Sequence, residues 1–99
     1  MKRGDIVKNS TIFVSSRWAG WETARYVIVE VAGSIVWTRV LVCDYDSNST
    51  KQIVRGGVLV FSILDLVPID VVESMYLCSV YDIDEILRMD RVGGKCKVL

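Results

Sequence analysis

Residues 23–43, TARYVIVEVAGSIVWTRVLVC, carry the clearest strand pattern of the chain and constrain its fold most. Two runs rich in β-branched and aromatic residues flank the short Ala32-Gly33-Ser34 break, which is typical of a β-hairpin. Neither face of either predicted arm is consistently polar. Such strands belong to a small curved barrel, or to a sheet that has something packed on both sides.

The remaining pattern favours a mainly β protein, because valine and isoleucine dominate the apolar residues. A length of 99 residues suits one domain. The sequence predicts a small β-barrel over residues 4–81, one short C-terminal helix over 83–90, and an uncommitted tail over 94–99.

Several shorter segments fit this plan. Ile6 and Val7 begin a first strand, residues 11–14 continue or restart it, and residues 58–67 form a long strand that Pro68 ends. Residues 71–73 and 75–81 are predicted as further strands. For the helix, Asp82 is a suitable N-cap with Glu85 three residues later.

The charges cancel over the whole chain but not along it. Residues 1–43 carry 6 basic and 3 acidic side chains, residues 44–90 carry 3 and 9, and the last nine residues carry 3 basic ones. The zero net charge does not favour bulk binding to nucleic acid, which therefore remains a less favoured partner. If the sequence segregation becomes spatial, one side of the fold is basic and the other acidic.

Cysteine usage and the absence of histidine argue against a zinc site. Cys43 and Cys78 lie in apolar strand patterns and are predicted to be buried thiols. Asp44, Asp46 and Asn48 match the first ligands of an EF-hand loop. The match then fails, because Ser49 replaces the glycine and Arg55 the final glutamate, so a solvated turn is the better interpretation. No metal or cofactor is predicted.

A cluster of tryptophan and arginine is the main candidate for a binding surface. Its predicted residues are Arg17, Trp18, Trp21, Arg25 and Trp37. Aromatic side chains interleaved with arginine suit base stacking, cation–π contacts or a protein hot spot. The alternative is that one or both loop tryptophans fold back and cover the open end of the barrel.

The chain resembles the MazF/PemK family of toxin endoribonucleases in three segments: KRGDIV at residues 2–7, RYVIV at 25–29, and GVLV at 57–60 with Ile63 and Asp70. The resemblance implies an SH3-like barrel in which Arg25 is the catalytic arginine. The chain departs from the family at Tyr26, at Ser62, and near Cys43 and Asp44, where no threonine stands. The barrel is thus implied without an intact nuclease site.

The chain also resembles small SH3-like proteins of bacteriophages and prophages, through KRGDIVKN at the start, the RY-x-I strand, the Y-D turn, and V-V-E followed by residues 82–87. This resemblance implies a non-enzymatic module that binds a host protein or a small ligand. The alternatives are a MazF/PemK-like endoribonuclease and a non-catalytic nucleic-acid-binding barrel.

The setting of the protein is predicted from what the chain lacks. The residues after Met1 do not form the apolar run of a signal peptide, and no apolar stretch is long enough to span a bilayer. These features favour the cytoplasm and no membrane partner. A homodimer is a further expectation, because a second copy would account for a hairpin that is apolar on both faces.

Overall fold

The structure, a computed structural model, describes residues 1–15, 21–42 and 55–89 and the backbone of residues 96–98. In these ranges the fold is mainly β, with five antiparallel strands, a sixth strand added in parallel, and a few short helices. In chain order, the elements are β1 (Ile6–Asn9), α1 (Thr11–Ser15), β2 (Arg25–Ala32), β3 (Ile35–Val42), β4 (Val58–Ser62), a 3₁₀ turn (Ile63–Asp65), β5 (Leu66–Pro68), α2 (Val71–Val80), α3 (Ile83–Arg88) and β6 (Cys96–Val98).

The predicted hairpin is confirmed as the centre of the sheet. β2 and β3 pair along their whole length, and Gly33 makes the turn between them with a φ of 64°. The strand order is β5-β1-β2-β3-β4-β6, so the hairpin lies in the middle. Two register shifts interrupt the pairing, one between Arg25 and Tyr26 and one between Ile28 and Glu30. Because of the second shift, Val31 packs on the same core as Ile28 instead of opposite it.

The link between β4 and β5 makes the sheet curve. These strands stand four positions apart in the sheet order, which in a flat sheet would separate them by roughly 19 Å. They are joined by the three residues Ile63–Asp65, a 3₁₀ turn that rises by only about 6 Å. The sheet therefore bends strongly around the core. Its strand pairings leave it open, because the two end strands β5 and β6 are not paired with each other, so it does not close into a barrel.

Two cores form, one on each face of the hairpin, because neighbouring residues of a strand point in opposite directions. Tyr26 and Ile28 pack with Phe13 of α1 and with Trp21, whereas Val27 packs with the helices α2 and α3. The first core contains Val7, Phe13, Trp21, Ala24, Tyr26, Ile28, Val36, Val40, Leu59, Phe61 and Leu66; the second contains Ile6, Val27, Leu41, Leu77 and Ile86. The two-sided apolar pattern is therefore accounted for within one copy of the chain.

The strand predictions at residues 71–73 and 75–81 are wrong, because residues 71–80 form the helix α2 and Tyr81 is its C-cap. The carboxylate of Asp70 accepts a hydrogen bond from the backbone N–H of Glu73 at 2.8 Å and caps the helix. The capping pattern Asp70-x-x-Glu73 is the same as the one used to predict α3. The pattern was hidden by the β-branched residues Val71, Val72 and Val80, which locally favour a strand.

The prediction of one short C-terminal helix is right for α3 and incomplete for the fold. α3 spans Ile83–Arg88, and Asp82 caps it by accepting from the backbone N–H of Glu85 at 3.1 Å. Residues 11–14, predicted to extend the first strand, belong instead to α1. There the hydroxyl of Ser10 accepts from the backbone N–H of Phe13 at 3.3 Å, which starts a turn of helix.

Candidate functional site

The outer face of α2 is the most unusual surface among the described residues. It consists of five apolar side chains that expose between 52% and 78% of their area: Val71, Val72, Met75, Tyr76 and Val80. Val71 and Met75 are four residues apart, as are Val72 and Tyr76, so these pairs lie side by side along the helix. The result is a continuous apolar stripe that faces solvent.

The side of α2 that faces the fold carries both Leu77 and the polar Glu73, so apolar and polar residues are not separated between the two sides of the helix. Leu77 is the buried residue of the helix and packs with Ile6, Val27 and Ile86. A surface helix ordinarily turns polar residues outward, and a helix that is apolar all round is ordinarily buried. α2 is therefore a helix with the composition of a buried element and only one covered side.

A groove continues the outer face of α2 towards the N-terminus. It has a volume of about 310 Å³, and Val71 and Met75 form one of its walls. The other apolar residues around it are Met1, Ile6, Val7, Pro68 and Ile69, and because Asp5 and Ser74 also line it, the groove is partly polar. The stripe, with five exposed apolar side chains on one helix, is the kind of contiguous patch that commonly marks an interaction site.

Exposed carboxylates lie at both ends of α2. Residues 56–87 contain six carboxylate side chains and no lysine or arginine. Asp70 is exposed at the N-terminal end of α2, and Asp82 and Asp84 are exposed beyond its C-terminal end, where they line a shallow hollow with Val80. We call these three residues the acidic rim; it places negative charge at both ends of the apolar stripe.

Two arginines from other parts of the chain reach this region, and both are engaged there. Arg25 forms an ion pair with Glu73, with 2.5 Å between Nε and Oε1. The guanidinium of Arg55 lies 4.5 Å from the ring centre of Tyr81, and its Nε donates to the carbonyl of Leu41 at 3.1 Å. These contacts hold α2 and its C-terminal end against the hairpin.

Arg25, predicted as a binding residue, is placed as a structural tie. Its side chain is 15% exposed, and besides the pair with Glu73 its Nη1 donates to the carbonyls of Glu22 and Ala24, both at 2.9 Å. The guanidinium therefore joins β2, the turn before it and α2. A ligand that accepted a hydrogen bond from Nε of Arg25 would have to displace Glu73.

The two tryptophans of the predicted set that lie in the described ranges occupy separate places. Trp21 is buried and its ring meets that of Phe13 edge to face, with 5.4 Å between ring centres. Trp37 is half-buried in β3 and pairs with Glu30. Since Glu30 is five residues from Arg25 along β2, Trp37 lies about 17 Å from the Arg25 end of the hairpin. Trp21 is thus part of the first core, and the three described residues of the predicted set, Trp21, Arg25 and Trp37, do not converge on one surface.

Several predicted residues lie outside the described ranges: Arg17, Trp18, Cys43, Asp44, Asp46 and Asn48. The prediction that Cys78 is buried is wrong, since its thiol is exposed on α2. The error follows from the strand interpretation, in which alternate residues point inward; on the helix, the inward position belongs to Leu77.

Sequence reasoning missed the α2 surface because it treated the segment as strands. Within residues 1–15, 21–42 and 55–89, no group of three or more metal-ligating side chains is close enough to hold an ion. None of the helices described in those ranges is long and apolar enough to cross a bilayer. Comparisons of the chain with protein-family models, with curated proteins and with solved structures gave no match.

Proposed function

We propose that the protein is a non-enzymatic interaction module that binds another protein through the outer face of α2. The observation that carries this proposal is the exposure of Val72, Met75 and Tyr76 on a helix whose composition suits burial. Methionine and tyrosine are well suited to such a surface. Methionine adapts its shape to a partner, and tyrosine combines a large apolar ring with a polar tip.

We further propose that the curved sheet is an SH3-like barrel left partly open. Three features support this: β1 pairs with both β2 and β5, the two outer antiparallel strands are joined by a short turn, and side chains from β1 to β5 meet in one core. The phage or prophage origin and the cytoplasmic location remain predictions from the sequence.

The endoribonuclease alternative is less well supported. It requires Arg25 to stabilise charge that develops on a phosphate. In the fold, the Nε of Arg25 donates to Glu73 and its Nη1 to two backbone carbonyls, so part of the guanidinium is already engaged and its charge is paired with a carboxylate. The acidic rim likewise disfavours a nucleic-acid partner at α2, because phosphates would meet carboxylates there.

The test is an unbiased selection of helical peptides from a displayed random library on the immobilised protein. We expect to select peptides that bind the wild-type chain and whose affinity for the Met75→Ser and Tyr76→Ser variants is at least tenfold lower. Leu64→Ser is the matched control, since Leu64 is a similarly exposed apolar residue, at 80%, and belongs to the 3₁₀ turn and not to α2.

The proposal fails if every selected peptide binds the Met75 and Tyr76 variants as well as it binds the wild type. It also fails if Leu64→Ser weakens binding by as much, because the effect would then follow general exposure and not the α2 surface. Far-ultraviolet circular dichroism of each variant establishes that the fold is retained, and Val72→Ser provides a second substitution on the same face.

A further inference from the structure

We infer that the α2 surface recognises a cationic amphipathic helix, that is, a helical protein segment with an apolar face flanked by lysine or arginine at both ends. This inference rests on the proposed function and specifies the chemistry of its partner. The features that carry it are the apolar stripe, the adjoining groove, and the positions of the acidic rim.

The shape of the surface favours a helix as the occupant. The stripe runs along α2, and the groove, whose wall includes Val71 and Met75, lies beside it, so a partner meets an elongated apolar face with a partly polar depression at one edge. An amphipathic helix laid against such a face inserts side chains at a spacing of three and four residues. Met1 and Met75, which border the groove, have flexible side chains that can adjust to the inserted residues.

The positions of the charges specify the sign and the spacing of the partner's polar residues. Asp70 lies at one end of α2 and Asp82 and Asp84 at the other, and the ten-residue helix between them is about 15 Å long. A partner helix alongside would meet both ends if its basic residues were about ten residues apart. Lysine and arginine suit these positions, because their long apolar stems can lie on the stripe while the charges reach the rim.

The same charges disfavour a second copy of the chain. α2 contains no lysine or arginine, so an antiparallel pair of α2 helices would bring Asp70 of one copy to Asp82 and Asp84 of the other. A parallel pair would bring identical acidic groups together. Either arrangement places like charges at the edges of the apolar contact, which opposes pairing. An anionic membrane surface is disfavoured for the same reason.

The experiment uses three fluorescent peptides on the full chain, read by anisotropy. The first is an amphipathic helix of leucine and lysine, the second has glutamate at every lysine position, and the third has the first composition in a scrambled, non-amphipathic order. We expect the leucine–lysine helix to bind at least tenfold more tightly than either of the others. We also expect the preference over the glutamate peptide to shrink at high salt, because the rim is exposed to solvent.

Substitutions then connect the binding to α2. Asp82→Asn with Asp84→Asn should reduce the preference for lysine over glutamate, and Met75→Ser should weaken the leucine–lysine helix at least tenfold. Leu64→Ser should do neither. If the scrambled peptide binds as tightly as the amphipathic one, the attraction is general electrostatics and the inference is overturned.

Failure of the inference is distinct from failure of the proposed function. If the library yields α2-dependent peptides without excess lysine or arginine, the module stands and the cationic partner is wrong. If no selected peptide depends on α2, both are wrong. Sedimentation at several concentrations tests the remaining alternative, in which a second copy of the chain binds at α2. A dimer that is lost in Met75→Lys and kept in Leu64→Lys would show that the partner is a second copy, and would overturn the inference.

Discussion

Arg25 of β2 and Glu73 of α2 are joined by a charge-assisted hydrogen bond between side chains that stand 48 residues apart in the sequence. The pair is largely shielded, with side-chain exposures of 15% for Arg25 and 31% for Glu73. Leu77 secures the same helix from the next turn by packing in the second core. The attachment of α2 thus combines one ion pair with one apolar anchor, while its outer face stays uncovered.

Replacing Arg25 by methionine should lower the free energy of unfolding by about 1–2 kcal/mol, because a partly buried charge-assisted bond is lost. Urea denaturation measures this change. A double-mutant cycle with Glu73→Gln should give a coupling energy clearly above zero. Arg88→Met, on an exposed arginine of α3, is the matched control and should change stability by less than about 0.5 kcal/mol. A coupling energy of zero would mean that the pair does not hold the helix.

The buried hydrogen bond between Tyr26 and Asn9 predicts the direction in which stability changes in a single and in a double variant. The hydroxyl of Tyr26 donates to Oδ1 of Asn9 at 2.7 Å, and Nδ2 of Asn9 is buried without an acceptor among the described residues. Tyr26→Phe removes the donor to Oδ1 of Asn9 and should lower the free energy of unfolding by about 1–3 kcal/mol. Adding Asn9→Leu should recover part of that loss, because an apolar side chain needs no partner there. A double variant less stable than Tyr26→Phe would contradict this account.

Two glycines with positive φ allow backbone strain to be separated from side-chain contact. Gly33 has a φ of 64° and open space where a Cβ would lie, so Gly33→Ala should cost about 1 kcal/mol from the backbone alone. At Gly56, with a φ of 85°, a Cβ would come within 2.7 Å of Sδ of Met89. Because this is the flexible end of a half-exposed side chain, the two alanine variants should differ by less than about 1 kcal/mol in thermal or urea unfolding. Met89→Ala should remove the difference. A gap that persists in the Met89→Ala background would place the strain elsewhere.

The position of Cys78 predicts rapid chemical modification of the folded protein. With Cys43 and Cys96 replaced by serine, the remaining thiol of Cys78 is exposed on α2 and should react with a maleimide under native conditions almost as fast as in urea. Mass spectrometry over time follows the reaction. A thiol that is modified only after unfolding would show that α2 is covered or is not helical in solution, and both alternatives would remove the basis of the proposed site.

The parts of the fold that could be predicted from sequence are those that depend on neighbouring residues. The hairpin was predictable because β-branched runs flank Gly33, and α3 because Asp82 precedes Glu85 by three residues. α2 carries the same capping pair in Asp70 and Glu73, but its apolar residues show no periodicity that separates a helix from a strand. Attention to the cap instead of the apolar pattern would have identified it.

The candidate site depends on contacts that neighbouring residues do not reveal. The role of Arg25 depends on Glu73, and the burial of Trp21 depends on Phe13, which comes from a helix that had been predicted as a strand. The apolar pattern on both faces of the hairpin was recognised, but its explanation needed α2 and α3 on the second face. Without knowledge of those helices, a second copy of the chain explains the apolar second face of the hairpin equally well.

The short turn between β4 and β5 makes the curvature of the sheet a covalent property of the chain as well as a packing property. Its three residues, Ile63–Asp65, hold the two outer antiparallel strands together regardless of how well the core is filled. A circular permutation with new termini at the exposed Leu64 would remove this covalent link between β4 and β5 and leave the strand pairings in place. The shape of such a permuted chain would then report how much of the bend the core alone maintains.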